Sequence, residues 1–284
     1  MKVGDLSLSF KRYALHERGI RPNSYKAIVS AINRLAKFSK TENINHLDTS
    51  VVREFLYYGR EEFLWSPKTF RNMRQCLASY FNFCIKFGHL KKNPTDEIDK
   101  PKLPQALPRS LTQEQAKIIL AYTLDHKWYY EIERIRNYAI IMTFLHTGLR
   151  LSELINLQTK DIDLHNKQIF VRLGKNQKDR IVPISTTLAR NLKQYQEERR
   201  LKLSSSLYFF TSVRSPSKLT PKNIQIICRK ISKESQTKFT PHMLRHTFAR
   251  TCVENDMNLF KLMKILGHTN LETTQRYLVF KLFF

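Results

Sequence analysis

The sequence predicts a mainly α protein in two domains, residues 1–102 and 109–284, with a small antiparallel β-sheet in the second. Three observations carry that prediction. Apolar residues recur at helical spacing along most of the chain, a proline-rich stretch interrupts the spacing once, and between Asp161 and Ile184 the period changes to that of strands.

In the first domain, Tyr25, Ile28, Val29, Ile32, Leu35 and Ala36 form one apolar stripe with a period of about 3.6 residues. Val52, Phe55 and Leu56 mark a shorter one, with Asp48 to Ser50 as capping candidates. Leu77, Tyr80, Phe81, Cys84 and Ile85 mark a third. From His89 to Thr112 there is no apolar period, and Pro94, Pro101, Pro104 and Pro108 stand among lysines. Proline blocks helix continuation and keeps its predecessor extended, so this segment reads as a linker. The second domain opens with a helix after Thr112. Ile135, Tyr138, Ala139, Met142 and Leu145 then predict an amphipathic helix stopped at Gly148. Gln168–Leu173 and Arg180–Ile184 read as two strands around the polar turn GKNQKD, and helices resume near Thr186, Asn223, Pro241 and Asn258.

Composition narrows the function. Lys and Arg number 49 against 24 Asp and Glu, and the resulting charge of +25 is spread along the chain. Such an excess favours a polyanionic partner, nucleic acid ahead of a membrane surface or an acidic protein. Tyr80, Phe81, Phe83 and Phe87 suit base stacking in principle, but aromatics at helical spacing are assigned to the core. A hydrophobic fraction of 42% argues against a disordered chain. The start lacks the apolar run of a secretory leader, and Ala139–Leu145 is too short to cross a bilayer. Cys76, Cys84, Cys228 and Cys252 form no CxxC pair and sit in apolar helical patterns, which reads as buried free thiols in a reducing compartment. The expected location is the cytoplasm, at the nucleoid.

No glycines stand in a GxxxxGK or GxGxxG arrangement, so no nucleotide-binding loop is expected. His242 and His246 are spaced as in zinc-binding helices, but Met243 stands where HExxH needs its glutamate. Work on nucleic acid is then expected to run without cofactor or metal. Metal-free phosphodiester chemistry needs guanidinium groups for the phosphorane oxygens, an acid for the departing oxygen, and a nucleophile with a proton acceptor. The chain offers such parts in order. Arg150 follows the helix-ending Gly148 in HTGLRLSEL, and Lys175 lies at a hairpin tip, GKNQKDR, before IVPI. His242 and Arg245 stand three apart on one helical face in PHMLRHTF, and LGH ends at His268, nine residues before Tyr277.

These segments, HTGLRLSELINL, the GK hairpin before RIVPI, TPHMLRHTFA and LGHTNLETTQRYL, resemble the tyrosine recombinases, the Xer, phage-integrase and Cre group. The N-terminal half resembles that family's helical, SAM-like core-binding domain more loosely. The resemblance implies a two-domain DNA clamp with a core-binding domain at 1–102 and a catalytic domain at 109–284. It implies that Arg150 and Arg245 clamp the scissile phosphate and that Lys175 protonates the 5′ oxygen. His242 becomes general base or phosphate donor, His268 positions the phosphate, and Tyr277 attacks to form a 3′-phosphotyrosyl link. It further implies four protomers exchanging strands through a Holliday junction on two duplex sites with inverted repeats, with or without a second recombinase. Because the chain begins at the core-binding domain, a Xer-like, transposon or integron type is expected rather than a lambda type.

Around this set, His146 is expected to pack, and His246 to support the fold behind His242. Glu153 reads either as a buried partner of an arginine or as a solvated position. Lys178 and Arg180 read as phosphate contacts or a solvated hairpin face. Asn176 stands where relatives often carry glycine, and asparagine tolerates the turn. The apolar tail after Tyr277 either docks on a neighbouring subunit or packs back on its own domain. Two rival readings stay open: a type IB topoisomerase, and a DNA-binding regulator with vestigial catalysis.

Overall fold

In the computed structural model, residues 2–104, 108–172, 179–202 and 206–281 are described. The chain divides into two compact units, Met1–Gln105 and Ala106–Phe284.

The first unit is helical: α1 (Ser7–Arg12), α2 (Pro22–Ser39), α3 (Thr49–Glu61) and α4 (Pro67–Lys86). Local chemistry sets their starts. Pro22 and Pro67 occupy first-turn positions, where a missing N–H costs nothing, and Asp48 and Ser66 cap the orphan amides of α3 and α4. Ile28, Ile32 and Leu35 of α2 meet Val52, Phe55 and Leu56 of α3 and Leu77, Phe81 and Cys84 of α4 in one core. Tyr80, Phe81 and Phe83 are buried there, while Phe87 is exposed. The proline-rich segment is less of a linker than its composition suggests. Arg74, buried in α4, donates from Nε to the carbonyl of Ile98 (2.7 Å) and from Nη2 to that of Thr95 (2.6 Å). Those bonds fasten Asn93–Ile98 to the first unit.

The second unit contains α5 (Gln113–Asp125), α6 (Glu131–Thr147), α7 (Leu151–Asn156), strands β1 (Ile162–Asp163), β2 (Gln168–Val171) and β3 (Arg180–Pro183), then α8 (Thr186–Lys202), α9 (Pro221–Glu234), α10 (Pro241–Glu254), α11 (Leu259–Leu266) and α12 (Glu272–Gln275). Thr112 and Gln115 close a capping box on α5, and Thr240 caps α10. The amphipathic expectation for α6 is corrected. Its Arg136, Asn137, Ile140, Ile141, Thr143 and Phe144 are buried along with Ile135, Ala139 and Met142, while Tyr138 and Leu145 of the predicted face are half-buried, because α5, α8 and α10 surround the helix.

The strands form an antiparallel meander, β1-β2-β3, with Ile169 opposite Val182 and Val171 opposite Arg180. Two of these strands were expected. The short β1 carries too few residues to show a period, and it pairs through Ile162 with Ile169. Ile169, Val171 and Val182 point into the core, leaving Phe170 and Ile181 outside. The four cysteines are free, with Cys76 half-buried and the other three buried. No described helix is long and apolar enough to cross a membrane.

Candidate active site

Two helix ends build the site. Gly148 ends α6 and Gly267 ends α11, each in left-handed conformation (φ 61° and 64°), which an L side chain adopts only at a cost. The last carbonyls of a helix have no intrahelical donor and carry the negative end of its dipole. At α11 three consecutive carbonyls each accept from a different arginine. Arg180 Nε donates to Ile265 (2.6 Å), Arg245 Nη2 to Leu266 (2.8 Å) and Arg150 Nη2 to Gly267 (2.7 Å). Arg245 Nη1 also donates to the carbonyl of Gly148 at the other helix end (2.5 Å).

Glu153, on the first turn of α7, holds the same three cations. Arg180 reaches it with both terminal nitrogens (2.9 and 2.8 Å), Arg150 Nη1 donates at 2.8 Å, and Arg245 Nη1 lies at 3.9 Å. The Arg150 backbone N–H donates to it as well (2.7 Å). Burial alone raises a carboxyl, but the hydrogen bonds and charges of Arg180 and Arg150 overrule it and hold Glu153 down at about 2. Of the two readings of Glu153, the buried one holds. Of the two readings of Arg180, the solvated hairpin face is corrected: its side chain is only 8% exposed and bonded to Glu153. Arg150 is the member of the trio that reaches solvent, at 31% side-chain exposure against 6% for Arg245. Burial, reinforced by Arg150, lowers Arg245 to about 10, so it remains charged at neutral pH.

His268 follows Gly267 and joins the network. Its Nε2 lies 3.0 Å from Arg245 Nη2 and its Nδ1 2.9 Å from Thr274 Oγ1. Arginine only donates, so Nε2 accepts and Nδ1 carries the proton toward threonine. Burial and then Arg245 push His268 down to about 4, which keeps it neutral. Thr274 is completely buried, and nothing in the sequence separated it from the neighbouring polar residues.

The first two turns of α10 present His242, Arg245 and His246. His242 is exposed, and its ring stacks 6.3 Å from that of His246 at 26°. His246 does more than sit behind His242, because its Nδ1 lies 2.5 Å from the Tyr277 hydroxyl. Tyr277 is 1% exposed and packs among Ala249, Cys252, Val253, Leu262 and Leu266. Burial raises its phenol, and the opposing charges of Arg245 and Arg276 do not overcome that. A cationic surround is therefore present at Tyr277 but outweighed by burial. His146 has its Nδ1 3.4 Å from Ser185 Oγ, and burial lowers it. Lys175, Asn176 and Lys178 lie outside the described residues. Phe280 packs against the cluster around Tyr277, and Arg250 lies over its ring (5.0 Å).

Of the six predicted site residues, five thus stand in one connected cluster within the second unit. The described residues contain no group of three or more His, Cys, Asp or Glu side chains able to hold a metal ion.

The family model "Phage integrase family" matches residues 109–280. The chain is 36% identical over 215 residues to the tyrosine recombinase XerA of Thermococcus onnurineus, covering 75% of this chain and 71% of that one. It is 30% identical to the tyrosine recombinase XerD of Listeria monocytogenes, covering 97% of this chain and 94% of that one. Among solved structures, the Tn1549 transposon integrase in complex with a circular intermediate DNA matches with a TM-score of 0.78 at 22% identity, over 98% of this chain and 95% of that one. The XerH recombinase bound to its difH substrate matches with a TM-score of 0.73 at 21% identity, over 95% and 81%. The structural likenesses show the fold, and the sequence matches show descent: the chain belongs to the phage integrase family and is a Xer-like tyrosine recombinase, an enzyme that breaks and rejoins DNA strands.

Proposed function

We propose that Tyr277 attacks the scissile phosphodiester of a duplex site, forming a 3′-phosphotyrosyl link and releasing a 5′ hydroxyl. The observation that carries this reading is the arginine cluster, with Arg150, Arg180 and Arg245 fixed by Glu153 and the carbonyls of α11, and Tyr277 bonded to His246, the residue after Arg245 on α10. Guanidinium groups held rigidly by buried acceptors need no reorganisation as charge develops on the phosphorane oxygens.

Arg150, the exposed member, and Arg245 receive the nonbridging oxygens. His268 positions the phosphate through Arg245, whose Nη2 its Nε2 holds, His242 serves as phosphate donor or base from the exposed turn of α10, and Lys175 protonates the 5′ oxygen. The phosphotyrosyl link retains the bond energy for religation to a partner strand. The second domain, 109–284, is the catalytic one. The first, 1–102, is the core-binding one that completes a clamp on DNA. Four protomers on two inverted-repeat sites exchange strands through a Holliday junction, in the cytoplasm at the nucleoid.

The test is covalent trapping on randomised duplexes nicked just 3′ of each candidate scissile phosphate, with Tyr277→Phe as control. Tyr277-dependent adducts sharing one inverted repeat support site-specific exchange. Adducts without a shared motif point to a topoisomerase, and no adducts at all point to a DNA-binding regulator. Arg150→Ala or Arg245→Ala is expected to lower the adduct rate on the order of 10²–10³-fold while DNA affinity falls less. An equal loss in both would reduce these arginines to binding groups.

A further inference from the structure

We infer that His246 is the base of the cleavage step: its Nδ1 takes the Tyr277 proton as the phenol oxygen attacks phosphorus. The inference rests on the reading of Tyr277 as nucleophile and narrows it, since it leaves His242 to the phosphate.

Three features point to it. The first is contact with the reacting atom itself, 2.5 Å from His246 Nδ1 to Tyr277 Oη. The second is burial. Tyr277 is 1% exposed among apolar side chains, and His246 Nδ1 is the side-chain group bonded to its hydroxyl. The third is availability of the lone pair. Burial pushes His246 down to about 4, and the charges that face it, Arg276 beside Tyr277 and His242 and Arg245 on its own helix, act in the same direction. A neutral imidazole with Nε2 protonated presents Nδ1 as an acceptor. Burial also holds the phenol above its ordinary value, so a free phenolate is disfavoured.

The step balances. The Tyr277 O–H bond breaks and its proton passes to Nδ1, giving imidazolium. The phenol oxygen bonds to phosphorus, the bond from phosphorus to the 5′ oxygen breaks, and that oxygen takes a proton from Lys175. In religation the incoming 5′ hydroxyl gives its proton to the now neutral Lys175 as it bonds to phosphorus, the bond from phosphorus to the tyrosine oxygen breaks, and that oxygen departs as phenol with the proton stored on His246. Arg245, close by on α10, favours the charge passing through the phenol oxygen.

The test combines His246→Asn, whose amide oxygen accepts a hydrogen bond but takes no proton, with a fluorinated, more acidic tyrosine at position 277. Adduct formation is followed on the randomised nicked duplexes. His246→Asn should slow it about a hundredfold or more, the range of general-base catalysis. The acidic tyrosine should restore most of that loss in the variant and change the natural protein little. A packing role predicts no such rescue. Wild-type rates in His246→Asn, or no rescue by the acidic tyrosine, overturn the inference while leaving Tyr277 as nucleophile. Absence of any Tyr277-dependent adduct with natural His246 overturns both. Nitrogen-15 NMR of the natural protein gives a reading free of activity. The Nε2–H tautomer, with an Nδ1 signal that moves in Tyr277→Phe, supports the inference, and the Nδ1–H tautomer refutes it.

Discussion

Replacing Glu153 with glutamine keeps the side chain's shape and removes its charge, leaving Arg150, Arg180 and Arg245 around a neutral group. The magnitude follows from the carboxyl itself. Glu153 is 7% exposed and is held at about 2 against an ordinary 4.5. At about 1.4 kcal/mol per pH unit, that displacement is worth ~3 kcal/mol, in line with the cost of breaking a buried pair by removing one partner. For a unit of this size, the melting temperature should fall by roughly 6–12 °C at pH 7. The pH dependence has a definite sign. A carboxyl depressed in the folded state contributes its full stabilisation above about 4.5 and loses it as pH falls toward about 2. The gap between natural protein and Glu153→Gln should thus be constant from pH 5 to 8 (roughly) and close progressively below that range. Sulfate, a surrogate for the phosphate, should raise the variant's melting temperature more than the natural protein's, because it offsets the uncompensated charge of the cluster at Arg150, its solvent-reaching member. Calorimetry across this pH range reads all three effects. A gap under about 2 °C at pH 7, or one undiminished near pH 2, would falsify the view of Glu153 as an ionised clamp.

Gly148→Ala should lower the melting temperature, since the left-handed conformation costs about 1–2 kcal/mol and the new methyl would overlap the Phe248 ring and come 2.8 Å from Leu266 Cδ2; a stable variant would mean that this helix end can shift. Thr274→Val removes the hydroxyl that orients His268, and a lost hydrogen bond of about 1 kcal/mol predicts an adduct rate roughly fivefold lower with DNA affinity unchanged. DNA affinity should fall steeply and linearly on a log–log plot against salt, and a flat response would contradict the electrostatic origin of binding in a chain of charge +25.

Much of the molecule was legible as local pattern. The starts of α3 at Asp48, α5 at Thr112 and α10 at Pro241, and the stop of α6 at Gly148, follow from capping chemistry and left-handed glycine, which act within a few residues. The order of Arg150, His242, Arg245, His268 and Tyr277 was likewise readable, because each stands in a short segment whose spacing is itself the signal. What sequence could not decide was which polar groups share a buried space. Arg180 opens an alternating strand and read as a phosphate contact or a solvated position, yet it is bonded to the end of α11 and to Glu153 across long separations in the chain. The near-complete burial of α6 arises in the same way, from helices that pack on it from elsewhere in the sequence. His246 looked like a second histidine of the same helix face until Tyr277 was brought to its Nδ1. Periodicity reports which side of an element is apolar. Only folding brings distant elements together, and the partners that meet there set the charge state of Glu153, the tautomer of His268 and the hydrogen bond of Tyr277.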